Sequence, residues 1–216
     1  PEILRTNLAS VILQMANLRL GSVDDFAFIE PPDSRLVTDG HKLLDELGAI
    51  TSKKASQKET ASNAKKQKGL DHLVLTPTGQ KMARMPIDPR LARMLVAGSD
   101  FDCIREMLIV VAALAVQDPR ERPANKRQQA DQKHALFKEA DSDFLFYFKL
   151  WNTLTENREN LSENKRRTFA KQHFLSWLRL REWKKTHEQL LDLAQGLKLS
   201  FNEKKASYEN LHRALL

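Results

Sequence analysis

An uninterrupted apolar run of ten residues, Met107 to Val116, limits what this chain can fold into more than any other feature of its sequence. The run is too short to cross a bilayer, which takes about 20 residues, but it suits a helix buried on all sides. We predict this helix from Cys103 to Gln117, and Asp118-Pro119 ends it. Because a helix without a polar face needs neighbours all around it, the sequence predicts a helical bundle with this helix at its centre.

Composition and charge fit a globular chain with a polyanionic partner. Of the 216 residues, 41% are hydrophobic and 29% are charged, which is enough for a sizeable core. The formal net charge is +7, and positive charge that is clustered favours nucleic acid as a partner. The single cysteine, Cys103, lies in apolar sequence and predicts a buried thiol in a reducing compartment. No leader or membrane span is predicted, and helix-like sequence directly after Pro1 is typical of a piece of a longer protein.

The first third of the chain has the element order of a winged helix. The predicted helices and strands there are Pro1 to Leu20, a helix capped by Asp33 or Ser34 and ended by Gly48, Ala49-Ile50, and His72 to Leu75. Between the two strands, segment 52–71 is rich in lysine and almost without apolar residues. We predict that this segment is a mobile tip of the β-hairpin.

From Thr78 onward the pattern is helical, apart from an irregular segment between Asp118 and about Ala130. The run Asp143 to Leu154 is so rich in aromatic residues that it needs contacts on most of its sides. The predicted helices with both ends assigned are Thr78 to Arg84, Cys103 to Gln117 and Asp143 to Leu154. Further helices are predicted to begin at Asp88-Pro89, Glu163, Ser176 and Lys204. The fold class expected is mainly α: a winged helix with a small β-hairpin, followed by a helical bundle.

No residue pattern typical of catalysis or metal binding is found. The glycines do not form the loop G-x-x-x-x-G-K-[ST] that cradles phosphates, and no G-x-S-x-G elbow occurs. The histidines and the cysteine lack zinc spacings, and we interpret His187 as a packed core residue. We therefore predict no catalytic residue, no metal site and no cofactor bound by these residues.

The tripeptide Asp-Pro-Arg occurs twice, at Asp88 and at Asp118. Aspartate as a cap, proline at the start of a turn and an exposed arginine explain the first copy fully. The second copy continues with a further arginine on the irregular segment after the buried helix. Arginines on such a loop are suited to contact phosphates, so we select Arg120 and Arg122 as candidate nucleic-acid-binding residues.

The stretch FLSWLRLREWKK, residues 174–185, combines aromatic side chains with cations. On a helix, the residues that fall on one side and are expected in the core are Leu180, Trp183, His187, Leu190, Leu191 and Ala194. The candidate nucleic-acid-binding residues fall on the opposite flank or in the basic segment before it: Lys171, Trp177, Arg181, Lys184 and Lys185. A tryptophan among cations can stack on a base while the cations neutralise phosphates. The alternative is a solvated basic face, and the pattern alone does not decide between the two.

Four stretches resemble one family: PEILRTNLASVILQM (1–15), LTPTGQKMARMPIDPRLARML (75–95), AVQDPRERP (115–123) and DSDFLFYFKLWN (141–152). In this order they resemble the C-terminal part of bacterial HrpA-type DEAH-box RNA helicases, and the resemblance covers nearly the whole chain. The second and third stretches are the most specific. The resemblance implies a winged-helix domain over residues 1–85, with a lysine-rich wing extension at 52–71, and a helical-bundle ratchet domain over 86–216.

The resemblance also implies a function. In that family, RecA-like motor domains with the DEAH box and the phosphate loop precede such a segment, and an OB-fold accompanies it. The whole protein would be a cytoplasmic enzyme, not bound to membranes, that hydrolyses ATP with Mg²⁺ and moves 3′→5′ along single-stranded RNA, or DNA. The residues of this chain would form part of the channel for the strand and couple to the motor domains without catalysing a reaction.

Two other classes of protein stay open on the residues alone. A DNA-binding transcription regulator would insert its second helix into the major groove, with several Arg, Asn or Gln residues facing the bases. The predicted second helix instead carries Arg35, His41 and Lys42 together with four acidic residues, which argues against insertion. A protein-interaction scaffold is the third class, and the absence of any RNA binding would support it.

Overall fold

The computed structural model describes residues 8–23, 26–51, 74–139, 142–156 and 162–216. The elements in this part of the chain are α1 (Leu8–Leu18), α2 (Ser34–Glu46), β1 (Ile50–Thr51), β2 (Val74–Leu75), α3 (Pro77–Met82), α4 (Pro89–Asp100), α5 (Ile104–Leu114), a 3₁₀ turn (Ala124–Lys126), α6 (Arg127–Ala135), α7 (Asp143–Glu156), α8 (Glu163–Gln172), α9 (Trp177–Gly196) and α10 (Tyr208–Leu215). The chain packs into two compact units, Pro1–Arg93 and Met94–Leu216. The predicted fold class, mainly α with one small hairpin, is confirmed. The predicted domain boundary between residues 85 and 86 stays a prediction.

In the first unit, α1 and α2 pack closely together. The apolar side of α1 is buried, with Leu8, Ala9 and Ile12 at most 2% exposed. Gly40 of α2 faces this surface: a Cβ at this position would lie 2.7 Å from Cδ1 of Ile12 and 3.0 Å from the backbone nitrogen of Ala9. The glycine that weakens the helical pattern of α2 therefore allows the two helices to approach each other.

The second helix leads into the hairpin as predicted. The Asp33 carboxylate accepts a hydrogen bond from the amide of Arg35 and caps α2. β1 and β2 pair antiparallel in the register Ile50–Leu75 and Thr51–Val74. The predicted lysine-rich tip, segment 52–71, lies outside the described residues.

In the second unit, α5 is the central helix, as predicted. Its residues from Ile104 to Ala113 are buried with the exception of Arg105, and it packs against α7, α9 and α10. The adjoining Cys103 is fully buried, as predicted, and its thiol lies 3.6 Å from the carbonyl oxygen of Asn210. Burial, together with the negative charges of Glu106 and Asp102, raises the pKa of this thiol to about 11. Cys103 is therefore a protonated core residue at neutral pH.

Some predicted boundaries differ from the structure. Helix α6 begins at Arg127, within the segment predicted to be irregular. The sequence did not predict this helix because only its residues Ala130 and His134 are buried, so that no apolar period marks it. Helix α10 begins at Tyr208 and not at Lys204. The buried Glu106 carboxylate accepts hydrogen bonds from the side-chain amide of Asn202, at 2.9 Å, and from the backbone amide of Ala206, at 3.0 Å. These bonds hold the segment before Ser207 outside the helix, and Ser207 caps α10.

Several helices end in a shared geometry. After the helix, one residue adopts the left-handed conformation, and the amide of the next residue donates to a carbonyl five positions back, as Leu20 does to Met15 (3.0 Å) and Leu199 to Ala194 (3.0 Å). The left-handed residues at these ends are Arg19, Gly48, Asp102, Phe174 and Lys198. Glycine is the residue best suited to this position, yet among the described ends of this kind it occupies only position 48.

Candidate nucleic-acid interface

Helix α9 has a buried side and an exposed side. On the buried side, Leu180, Trp183, Leu190 and Ala194 are at most 5% exposed, which confirms the predicted core. The indole N–H of the fully buried Trp183 donates to the carbonyl oxygen of Ile109 at 3.0 Å. The predicted core residues His187 and Leu191 are half-buried, and the His187 ring packs 4.5 Å from that of Trp151.

The opposite side of α9 carries the predicted cations. Arg181, Lys184 and Lys185 are exposed, and Trp177 is half-buried in the first turn. Lys184 forms an ion pair with Glu188, one turn later, at 3.6 Å. Leu178, which sequence reasoning did not select, is 64% exposed beside Trp177. The start of α9 thus offers apolar surface next to positive charge.

The loop that carries Arg120 and Arg122 lies against the start of α9. The amide of Glu121 donates to the carbonyl oxygen of Phe174 at 2.8 Å, and the amide of Ser176 donates to that of Pro119 at 2.8 Å. Between these two bonds, Arg120 and Leu175 form an antiparallel bridge. Two candidate regions that are distant in sequence therefore share one site.

Within this loop, Arg120 is held by its own turn. Its guanidinium forms a two-pronged ion pair with Asp118 and lies over the Phe146 ring, 4.7 Å from the ring centre. Burial acts to raise the pKa of the Asp118 carboxyl, but the hydrogen bonds and the charge of Arg120 outweigh burial, so that this pKa lies below its usual value. The same hydrogen bonds raise the pKa of Arg120. Contact of Arg120 with phosphate stays a prediction, and the guanidinium already has a structural partner.

The two remaining candidates lie on neighbouring elements. Arg122 is 60% exposed in its side chain and pairs with Asp131 at 2.7 Å. The hydrogen bond from Arg122 is the largest of the effects that lower the pKa of Asp131. Lys171 is exposed in the last turn of α8, four residues before the bridge residue Leu175. Arg122 thus belongs to the loop and Lys171 to the end of α8, and both are exposed.

Two residues that position this site were not selected from the sequence. Arg179 donates from Nη1 to the carbonyl oxygen of Asp118 at 2.9 Å and so ties α9 to the loop. His134 is buried, and its Nε2 lies 3.1 Å from the carbonyl oxygen of Phe174. Neither residue could be selected from the sequence, because their roles depend on contacts with segments that are distant along the chain.

Among the residues that the structure describes, no group of three or more His, Cys, Asp or Glu residues could hold a metal ion. In the same part of the chain, no helix is both long and apolar enough to cross a membrane. What the site offers is cations, one half-buried tryptophan and an ordered loop.

A family comparison identifies the class of module. Residues 88–176, which include α4 to α8 and the loop, match the family described as "Helicase associated domain (HA2), ratchet-like". The helical packing of α4 to α8 agrees with this match to a helicase-associated, ratchet-like domain.

Relatives extend the match to the whole chain. The chain is 45% identical over all 216 residues to the ATP-dependent RNA helicase HrpA of Escherichia coli (strain K12), and 44% identical over the same length to the HrpA homolog of Haemophilus influenzae. It covers 16% of the length of each of these relatives. It is also 30% identical over 193 residues to the pre-mRNA-splicing factor ATP-dependent RNA helicase prp22 of Schizosaccharomyces pombe, 14% of that protein. The resemblance to HrpA-type DEAH-box RNA helicases is confirmed, and a transcription regulator or an interaction scaffold is not favoured.

Proposed function

We propose that this chain is the non-catalytic, RNA-binding module of an ATP-dependent RNA helicase that moves 3′→5′ along a single strand. The exposed side of α9, the loop 118–123 and the end of α8 would form part of the channel for the strand. RecA-like motor domains and an OB-fold of the same protein would complete the channel, and ATP with Mg²⁺ would bind to the motor domains. The proposed location is the cytoplasm.

One observation carries this proposal: α9 buries Trp183 on one side and exposes three cations on the other. Trp183 is fully buried, whereas Arg181, Lys184 and Lys185 are exposed on the other side with Trp177 at their head. Cations along a helix can follow a phosphate backbone, and a tryptophan at the end of the row can stack on a base. Because this combination does not read base edges, binding should tolerate many sequences.

The cations are free to exchange partners at low cost. The exposed ion pair of Lys184 with Glu188 is of a type worth about 0.3–0.5 kcal/mol. Within the described part of the chain, Arg181 and Lys185 have no carboxylate within ion-pair distance. A phosphate group therefore has little to displace when it binds to this side of α9.

The test is the salt dependence of RNA binding by the intact protein with Arg181→Gln and Lys184→Gln combined. We expect weaker binding to fluorescent oligouridine and a slope of log K against log salt that is smaller by about one to two phosphate contacts. The matched control combines Arg213→Gln with Lys204→Gln, which removes two exposed cations outside α9, one of them in a similar pair with Glu209. A slope unchanged by the α9 substitutions would identify this side as solvated charge. Equal effects with oligodeoxyuridine would extend the proposal to DNA.

A further inference from the structure

The first turn of α9 is oriented by a neighbouring loop and not by its own cap. Ser176 occupies the N-cap position, but its side chain makes no capping hydrogen bond. Its backbone amide instead donates to Pro119, and Phe174 accepts from Glu121, both at 2.8 Å. The direction in which Trp177 and the following cations point therefore depends on how well the loop itself is fixed.

Asp118 fixes that loop through its carboxylate. One carboxylate oxygen accepts from the backbone amide of Arg120 at 2.9 Å, which closes the turn. Both oxygens accept from the Arg120 guanidinium, and the hydroxyl of Tyr147 lies 3.4 Å from Oδ2. Because Arg120 also packs over Phe146, the turn is anchored to the aromatic surface of α7.

The backbone of Asp118 makes the connection in the other direction. Its carbonyl oxygen accepts from Nη1 of Arg179, in the first turn of α9, at 2.9 Å. The same residue thus holds the loop with its side chain and holds α9 with its main chain.

We propose that Asp118 is a positioning residue for RNA: by pairing with Arg120 it locks the loop that orients Trp177 and Arg181. This inference rests on the proposed function, since the side of α9 that it orients is the proposed RNA surface. According to this proposal, Asp118 favours the binding of a polyanion although it is itself acidic and lies among cations.

Charge alone predicts the opposite sign. If Asp118 acted only through its charge, neutralising it would strengthen RNA binding and steepen the salt dependence. If Arg120 were a phosphate ligand held back by Asp118, releasing it would have the same result. A positioning role predicts weaker binding instead.

The experiment compares Asp118→Asn with Arg120→Lys in the intact protein. Asparagine can still close the turn but cannot form the charged, two-pronged pair with the guanidinium. Lysine keeps the charge of Arg120 but cannot form the two-pronged pair. We expect each to weaken binding to oligouridine about tenfold, equivalent to about 1.4 kcal/mol. Asp88→Asn, in the other copy of the tripeptide, is the matched control and should leave affinity unchanged.

Hydrogen exchange supplies the readout that does not require RNA. The amides of Ser176 and Glu121 should exchange faster in both variants, while the amides of α5 keep their protection. Tighter or unchanged RNA binding by Asp118→Asn, or unchanged exchange at these two amides, would overturn the proposal. If the unsubstituted protein does not bind oligouridine, the proposed function fails by itself, and the exchange rates still decide whether Asp118 orients α9.

Discussion

The two Asp-Pro-Arg tripeptides share a turn and differ in what surrounds it. In both, Oδ1 of the aspartate accepts from the amide of the arginine, at 2.8 Å for the copy at Asp88 and 2.9 Å for the copy at Asp118. Asp88 and Arg90 are both exposed. Arg120 is partly buried over Phe146 and is paired with its own aspartate. The tripeptide thus encodes the turn, and the aromatic residues of α7 decide whether the arginine is a solvated side chain or part of the structure.

The largest loss of stability is expected when Asp118 is removed, and it should exceed the loss on removal of Asp88. Asp118→Ala deletes the turn bond and leaves the Arg120 guanidinium without its partner, so we expect a loss of about 2 kcal/mol in the free energy of unfolding. Asp88→Ala deletes only a cap and should cost about 1 kcal/mol. Urea denaturation measures both. Equal losses would mean that the contacts around Arg120 add nothing to stability.

Removal of Arg120 should cost less stability than removal of Asp118. Removal of Arg90, the matching arginine of the other copy, should cost almost none. Arg120→Ala leaves the turn intact but removes the ion pair and the packing on Phe146, which together should cost about 1–2 kcal/mol. Arg90→Ala removes an exposed side chain and should fall within about 0.5 kcal/mol of the unsubstituted protein. A large effect of Arg90→Ala in the same urea measurement would contradict the description of this arginine as solvated.

The smallest effect should appear at acid pH. The hydrogen bonds and the charge of Arg120 hold the pKa of Asp118 in the folded chain below its usual value. Its contribution to stability is therefore complete above about pH 4 and is lost as the pH falls through the folded pKa. Asp118→Asn has no such contribution to lose, so the difference in urea midpoint between this variant and the unsubstituted protein should shrink below pH 4. A difference that stays constant down to about pH 2.5, which is below the ordinary pKa values of carboxyl groups, would show that ionisation of Asp118 does not affect stability.

Sequence patterns predicted local features well. The position of Asp33 and Ser34 before an apolar period predicted that one of these two residues caps α2, and the unbroken run Met107 to Val116 predicted the central helix. The 3.6-residue period of α9 separated Trp183 from the cations before any contact was known. Each of these inferences depends only on neighbours within a few turns.

What the patterns could not predict depends on partners distant in sequence. The bridge between Arg120 and Leu175 joins backbone groups, which carry no signature in residue type. The late start of α10 depends on Glu106, far away in α5, which holds the preceding segment by two hydrogen bonds. For the same reason the pattern singled out Arg120 and Arg122 as candidates but did not predict that each forms an ion pair, Arg120 with Asp118 and Arg122 with Asp131.

The left-handed helix ends are positions at which substitution can raise the thermal stability of this chain. A residue with a Cβ in that conformation costs about 1–2 kcal/mol relative to glycine, offset in part by the greater freedom of glycine in the unfolded chain. Arg19, Asp102 and Lys198 occupy such positions, and none of the three is among the residues proposed to bind RNA. Glycine at these three ends is therefore a route for engineering a more heat-resistant protein without altering the side of α9 that is proposed to function.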